Sequence, residues 1–256
     1  LRRALRREWW LPLLVIVLVL AVWEWQVRTG GMSALFFPAP STIIQTLVRL
    51  LVEGELLAHL GATLARLFLG FLLGGIPALI LGLFMGWSRG LRAVVDPLVA
   101  AAHPVPKIAI LPLVMIIFGV GESSKVVVVA IAVFFPILIN TMAGVRQIPP
   151  IYFEVAQNYG AGLFKAFARV VVPGSLPLVL TGARLALNVA LLITIAVELV
   201  AAQKGLGEMI WFAWETLRTE ELYASLVVIA GLGIAFNLLL QRLMARLVPW
   251  QVERGA

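Results

Sequence analysis

Long apolar runs alternate with short polar segments along the chain, and this rhythm predicts a set of membrane-length helices. The runs fall at about Trp10 to Val27, Leu60 to Trp87, Pro97 to Phe118, Val126 to Val145, Pro177 to Val200 and Leu222 to Leu243. Each approaches or exceeds the ~20 residues that an α-helix needs to cross ~30 Å of hydrocarbon. They are continuous rather than alternating every second residue, which excludes a transmembrane β-barrel. After the first run comes a Gly/Pro-bearing turn, "TGGMSALFFPAPST". Ser41 then opens a shorter helix with Ile43, Ile44, Leu47, Leu50 and Leu51 on one face, a spacing that predicts a helix along the outer interface. The second run carries Gly70-x-x-x-Gly74 and Gly82-x-x-x-Gly86, the small-residue spacing of closely packed helices inside a bundle. The third is broken by Pro104, Pro106 and Pro112, which remove backbone bonds and predict kinks repaired by neighbours or by a water-lined cavity.

Charge sets an expected orientation. Arg2, Arg3, Arg6 and Arg7 precede the first run, and "SRGLR" (Ser88 to Arg92) follows the second as a short basic turn. Arg146, Lys165, Arg169 and Arg184 bracket the fourth and fifth runs, and Arg242, Arg246 and Arg254 follow the sixth. The segment Ala201 to Glu221 instead carries Glu208, Glu215, Glu220 and Glu221. By the positive-inside rule the consistent solution is six spans with both termini cytoplasmic. Trp9, Trp10, Trp23 and Trp25 sit at the ends of the first run, where amphipathic rings prefer the headgroup zone. The stretch from Trp9 to Gln26 is too long for a signal-peptide core and lacks a small-residue cleavage site, so a retained span is expected.

Composition agrees: 62% of the 256 residues are hydrophobic and 13% charged, against roughly 45–50% and 25% in soluble domains. The formal net charge of +7 would raise nucleic acid as a partner in a soluble protein. Here the cations collect between spans, so the charge reads as topology and no nucleic-acid partner is expected. Cysteine is absent, which removes disulfides, thiol chemistry and Cys-based metal sites. His59 and His103 lie in different spans or span ends without a nearby carboxylate pattern, so neither a metal site nor acid–base catalysis is expected. With no internal repeat and no linker, the chain reads as one membrane domain. Its expected parts are residues 1–58 with the first span and outer helix, a core at 59–247 containing an inner loop at 146–176, and a tail at 248–256.

The inner segment from Pro149 to Pro173 is too long for a turn. "PPIYFEVAQNYG" begins with helix-starting prolines and ends at Gly160, a helix-stop residue. "AGLFKAFARVVVP" restarts, with Leu163, Phe164, Phe167 and Val170 on one side and Lys165 and Arg169 on another. Two readings stand open: a helix resting on lipid headgroups, or one seated in a groove of a cytoplasmic partner.

These residues carry a resemblance. Glu154-x-Ala156, Gly160-Ala161, Val172-Pro173, Pro177, Gly182 and Arg184 resemble the EAA motif of ABC-importer permeases, with Val155 in place of the second alanine. "HPVPKIAILPLVMIIFGVGESSK" (residues 103 to 125) is similar to the Pro-x-Pro…Ala-x-x-Pro-Leu…Phe-Gly-x-Gly segment of the sulfonate, taurine, nitrate and bicarbonate branch. "FFPAPST" (Phe36 to Thr42) and "VELVAAQKGLGEMI" (Val197 to Ile210) fit the same branch, so the likeness runs from Phe36 to about Leu247.

The resemblance implies an all-α, MetI-like type I importer permease in a bacterial inner membrane. Its implied partners are a second permease copy as a homodimer, two cytoplasmic ATPases and an external substrate-binding protein, all in a lipid bilayer. The chain has no Gly-x-x-x-x-Gly-Lys-Ser/Thr phosphate loop, so it is not expected to be an enzyme; ATP and Mg are expected in the partner ATPase and no cofactor here. The implied cargo is a small anion, with an aromatic or heterocyclic nutrient such as a pyrimidine precursor or riboflavin as the alternative and a stand-alone secondary carrier behind both. Candidate ATPase-coupling residues are Glu154, Ala156, Gly160, Ala161, Phe164 and Lys165, with Glu154 alternatively capping its own helix. His103 and Lys107, four apart on a kinked span, are candidates for the translocation pathway, or solvated side chains near an interface. Glu198 is a candidate for an external gate, or a helix-packing hydrogen bond.

Overall fold

A computed structural model describes residues 10–250. The basic start with Arg2, Arg3, Arg6, Arg7 and Trp9, and the tail with Arg254, lie outside the described residues. Every regular element among the described residues is helical. Helix α1 (Trp10–Arg28) leads through the Gly/Pro turn to α2 (Pro40–Val52) and then to the 33-residue α3 (Glu55–Trp87). A bent pair follows: α4 (Arg89–Ala102), then a 3₁₀ turn (Lys107–Ile110) running into α5 (Leu111–Phe118), with 89° between the two arms. Next come α6 (Glu122–Arg146) and the short α7 (Ile151–Asn158). The one-turn α8 (Leu163–Ala166) passes through a π-helical turn (Phe167–Val171) into α9 (Val172–Ala201). Helices α10 (Leu206–Glu215) and α11 (Thr219–Leu247) complete the described chain.

The core is a trio of α3, α6 and α9. Gly70 of α3 faces Val126 and Val129 of α6, while Gly86 faces Met142 and Val145, so these two helices run parallel. Gly144 of α6 meets Ser175 of α9 and Gly182 of α9 meets Pro136 and Asn140, so α9 runs antiparallel to both. Gly70, Gly74, Ala78, Gly82 and Gly86 recur every four residues and form one ridge along α3, on which α6 lies almost backbone to backbone. In lipid no hydrophobic force draws apolar helices together, so this closeness, with its dispersion contacts, is what holds the pair. Around it Leu67, Met85, Val129, Val133, Leu138, Ala186 and Ala190 are fully buried.

Because α3 and α6 are parallel, the chain between them must return to its starting side, and the bent pair makes that crossing. Five helices or joined helices are long and apolar enough to span a membrane, and the bent pair brings the passes to six, the number expected from the sequence. Helix α2 buries Ile43 and Leu50 against α3, α10 and α11, whereas Ile44 and Leu51 stay exposed, so only half of its apolar face finds a protein partner. Helix α1 buries none of its residues. It touches the bundle near its C-terminal end, where the Glu24 carboxylate accepts the N–H of Ser41 at 3.0 Å and so caps α2, and where Trp23 packs on Tyr223.

Three local expectations fail, each for a physical reason. "SRGLR" is not a turn: the Ser88 Oγ accepts the N–H of Leu91 as an N-cap, and Arg89 starts α4. The third span does not begin at Pro97, which lies inside α4, and Pro112 causes no kink because it occupies the first turn of α5, where no N–H is needed. The fifth span starts well before Pro177. The π turn carries the helix through Pro173, with the N–H of Val172 bonding the Phe167 carbonyl five residues back, so Leu163 to Ala201 is one continuous passage.

Candidate functional site

At one end of the bundle, α7 and α8 form a protruding corner. Gly160 adopts φ +70° and ends α7 in a Schellman arrangement: its own N–H bonds the Gln157 carbonyl at 2.9 Å and that of Ala161 bonds the Ala156 carbonyl at 2.9 Å. Glu154, Tyr152, Tyr159, Leu163, Phe164 and Lys165 are exposed around this corner, with Phe164 at 84%. The Glu154 carboxylate accepts no hydrogen bond among the described residues, and Pro150 occupies the cap position of α7. The corner is fixed to the bundle from behind, where Phe167 stacks on Phe84 (centroids 5.6 Å) and Trp87 lies edge-on to both Phe153 and Phe167. These contacts join the corner to the end of α3.

The break in the bent pair lies at mid-bundle, against Phe135 near the middle of α6. Lys107 Nζ donates to the carbonyls of Ala102 (3.0 Å), His103 (2.8 Å) and Val105 (2.7 Å) where the helix breaks at Pro104 and Pro106, and lies 4.3 Å above the Phe135 ring. The His103 ring meets the same phenyl edge-on at 5.4 Å. A cation at the C-terminus of α4 also suits the helix dipole. Lys107→Met is expected to leave the His103 and Val105 carbonyls unpaired, since that of Ala102 keeps the N–H of Val105, and to lower stability by about 1–3 kcal/mol, with Lys107→Arg close to wild type. Thermal unfolding in detergent checks this, and equal melting of all three proteins would remove the ammonium from the bend.

The far end of the bundle holds a buried polar lock. Arg66, only 4% exposed, donates through Nη1 to Glu198 Oε1 at 2.6 Å and to the Lys204 carbonyl, and through Nε and Nη2 to both oxygens of Glu122. Glu198 Oε2 accepts from the Thr63 hydroxyl at 2.9 Å and from the Gly207 N–H at 3.0 Å; Thr63 Oγ1 in turn accepts the N–H of Leu206. His59 Nδ1 lies 3.0 Å from the Gly205 carbonyl and 3.4 Å from Glu208, whose carboxyl is pushed up by burial. Gly205 has φ +144°, and a Cβ there would collide with the Glu198 carboxyl. The network joins α3, α6, α9 and the start of α10.

The coupling candidates therefore share one corner, and His103 and Lys107 share the bend. Glu198 lies at the opposite end, 1% exposed and engaged in helix packing. Sequence reasoning missed Arg66, Glu122 and Lys125. Arg66 had a signal: it is the sole charged residue between Leu60 and Ser88, and an ion inside an apolar span calls for a partner.

Comparison with known proteins places this geometry. Residues 78–252 match the family model described as "Binding-protein-dependent transport system inner membrane component". The chain is 35% identical to the taurine transport system permease protein TauC of Escherichia coli (strain K12), across 98% of this chain and 94% of that protein. The chain belongs to this family of permeases. It is also 33% identical to the protein named as an aliphatic sulfonates transport permease, SsuC, of Bacillus subtilis (strain 168), over 96% of this chain and 89% of that one. The permease fold matches that of the MetNI methionine ABC transporter in inward-facing conformations, with a TM-score of 0.64 at 20% identity over 79% of this chain and 98% of that chain. The permease is thus a multi-pass inner-membrane transport subunit with the MetI-type fold.

Proposed function

We propose that two copies of this permease line the path by which a small organosulfonate, taurine or a close relative, enters the cell, driven by two cytoplasmic ATPases and supplied by an external binding protein. The observation that carries the cargo is the end-to-end similarity to permeases named for taurine and for aliphatic sulfonates. It favours a sulfonate over an aromatic or heterocyclic nutrient. The α7–α8 corner is the ATPase contact, on the cytoplasmic side together with both termini. Its exposed tyrosines, Leu163 and Phe164 form an apolar surface around the free carboxylate of Glu154, suited to a protein groove. ATP-driven closure pushes this corner, the aromatic cluster passes the push to α3, and the glycine ridge moves α6 with it as one body. In this reading Lys107 lines the pathway beside its structural role at the bend.

Gly160→Asp and Glu154→Ala test the contact. Asp at φ +70° strains the Schellman turn by about 1–2 kcal/mol, yet a side chain there meets no neighbour, so the bundle stays folded. Both variants are expected to lower binding-protein-stimulated ATP turnover in liposomes by about tenfold or more, a coupling loss of about 1.4 kcal/mol. The uptake of labelled taurine falls in parallel. Wild-type copurification with the ATPase and undiminished turnover in both variants would return the corner to the lipid surface.

A further inference from the structure

Beside the polar lock, at the end of the bundle opposite α7, lies a cavity of about 480 Å³ bordered by Ala62, Arg66, Glu122, Lys125, Gln203 and Lys204. The two edges of the Arg66 guanidinium do different things there. Nη1 is built into the protein, bound to Glu198 and to the Lys204 carbonyl, which fixes the plane of the group. The Nε/Nη2 edge holds Glu122 as a fork, one nitrogen to each carboxylate oxygen. The Lys125 ammonium, on a side chain only 8% exposed, also bonds Glu122, at 2.9 Å. That is the only partner of its three donors among the described residues. Glu122 itself is the first residue of α6, with a side chain 62% exposed. Two nearly buried cations thus grip a carboxylate that can leave, while the cations cannot.

We propose that this cavity is an anion-receiving site of the permease, in which Glu122 occupies the place of a substrate sulfonate until one arrives. The inference rests on the sulfonate reading of the preceding section and adds the residues that meet the cargo. A sulfonate presents two oxygens to the Nε/Nη2 fork as a carboxylate does and a third to the spare Lys125 donors, so it satisfies more of the cations than Glu122 can. The cavity volume lies within the range of small-molecule sites, and the exposed Lys204 side chain adds positive charge at its mouth. Withdrawal of Glu122 without a replacement would strand Lys125 as an unpaired buried cation and leave the Nε/Nη2 edge of Arg66 without an acceptor, so Glu122 leaves only as an anion enters.

Ethanesulfonate titrated against thermal unfolding of the purified transporter tests the site, with chloride and the neutral ethyl methyl sulfone as controls. Wild type is expected to gain melting temperature with ethanesulfonate and with neither control. Glu122→Gln, which removes the competing carboxylate, half-saturates at a concentration about fivefold or more lower; Lys125→Gln half-saturates about tenfold or more higher, with Lys125→Arg restoring the response. A carboxylate that served only to position the cations would make Glu122→Gln weaken binding as Lys125→Gln does, and that result overturns the proposal. So would unchanged titrations in both variants, an equal response to chloride, or no response in any protein. Copurification of the ATPase and its stimulation by the binding protein, measured on the same preparations, report separately on the importer reading, which stands if only the cavity fails.

Discussion

Glu198→Ala is expected to destabilise the permease by about 3–5 kcal/mol, the cost of breaking a buried ion pair. For a chain of this size that corresponds to a fall in melting temperature of roughly 10 °C or more. The carboxylate is the hub of the lock: Arg66 on α3, Thr63 one turn earlier and the Gly207 N–H at the start of α10 all donate to it. Removal leaves Arg66 Nη1 with only the Lys204 carbonyl, and frees the N-terminus of α10 from the end of α9. Gly205 and Gly207 bring backbone against Glu198 from the other side, so the shortened side chain also forfeits these contacts. Glu198→Gln keeps an acceptor for Thr63 or Gly207 but loses the charge that faces Arg66, so its melting point should fall between the two. Fluorescence-detected size exclusion after heating reads all three proteins. A Glu198→Ala protein that melts with wild type would mean that the lock contributes nothing net, and that Arg66 is adequately held by Glu122 alone.

This lock also marks the limit of what the chain shows before it folds. Local physics was readable: the four-residue spacing of glycines on α3 predicted a packing face, and Gly160 predicted a helix stop, because both depend on neighbours within a few residues. The lock depends on partners far apart in sequence. Arg66 meets Glu122 at a separation of 56 residues and Glu198 at 132, and no periodicity connects them. Glu198 could be singled out as an ion near a span end, but its partners, Arg66, Thr63 and the Gly207 N–H, come together only in the fold. The prolines misled in the opposite direction. Pro173 and Pro177 looked like a helix end because a proline removes one i→i−4 bond, yet a π turn leads the helix through Pro173 and Pro177 lies inside the helix that continues. A break needs what the segment around Pro104 and Pro106 has, two prolines in alternate positions and a cation to satisfy the freed carbonyls.

The second large effect is expected from the smallest change. Gly74→Ala adds one methyl to the middle of the α3 ridge, where a Cβ would lie 2.7 Å from the carbonyl carbon and 2.8 Å from the Cα of Ala130. These are backbone atoms of α6, so no side-chain rotation relieves the contact and the two helices must part. Parting loosens the whole ridge, because Gly70, Gly82 and Gly86 also leave no room for a Cβ against α6, and dispersion falls steeply with each fraction of an ångström. A net loss of about 2 kcal/mol or more is expected, against the roughly 1 kcal/mol that alanine gains over glycine in an unobstructed helix. Gly61→Ala supplies the internal comparison. It lies on the same helix, faces open space, and should raise the melting temperature through helix propensity alone. Opposite signs for one substitution at two positions of one helix would show that the ridge is held by contact with α6. Equal signs would mean that α3 and α6 yield to each other, and a pair that yields cannot carry a push from the α7 corner to the far end of the bundle as one body.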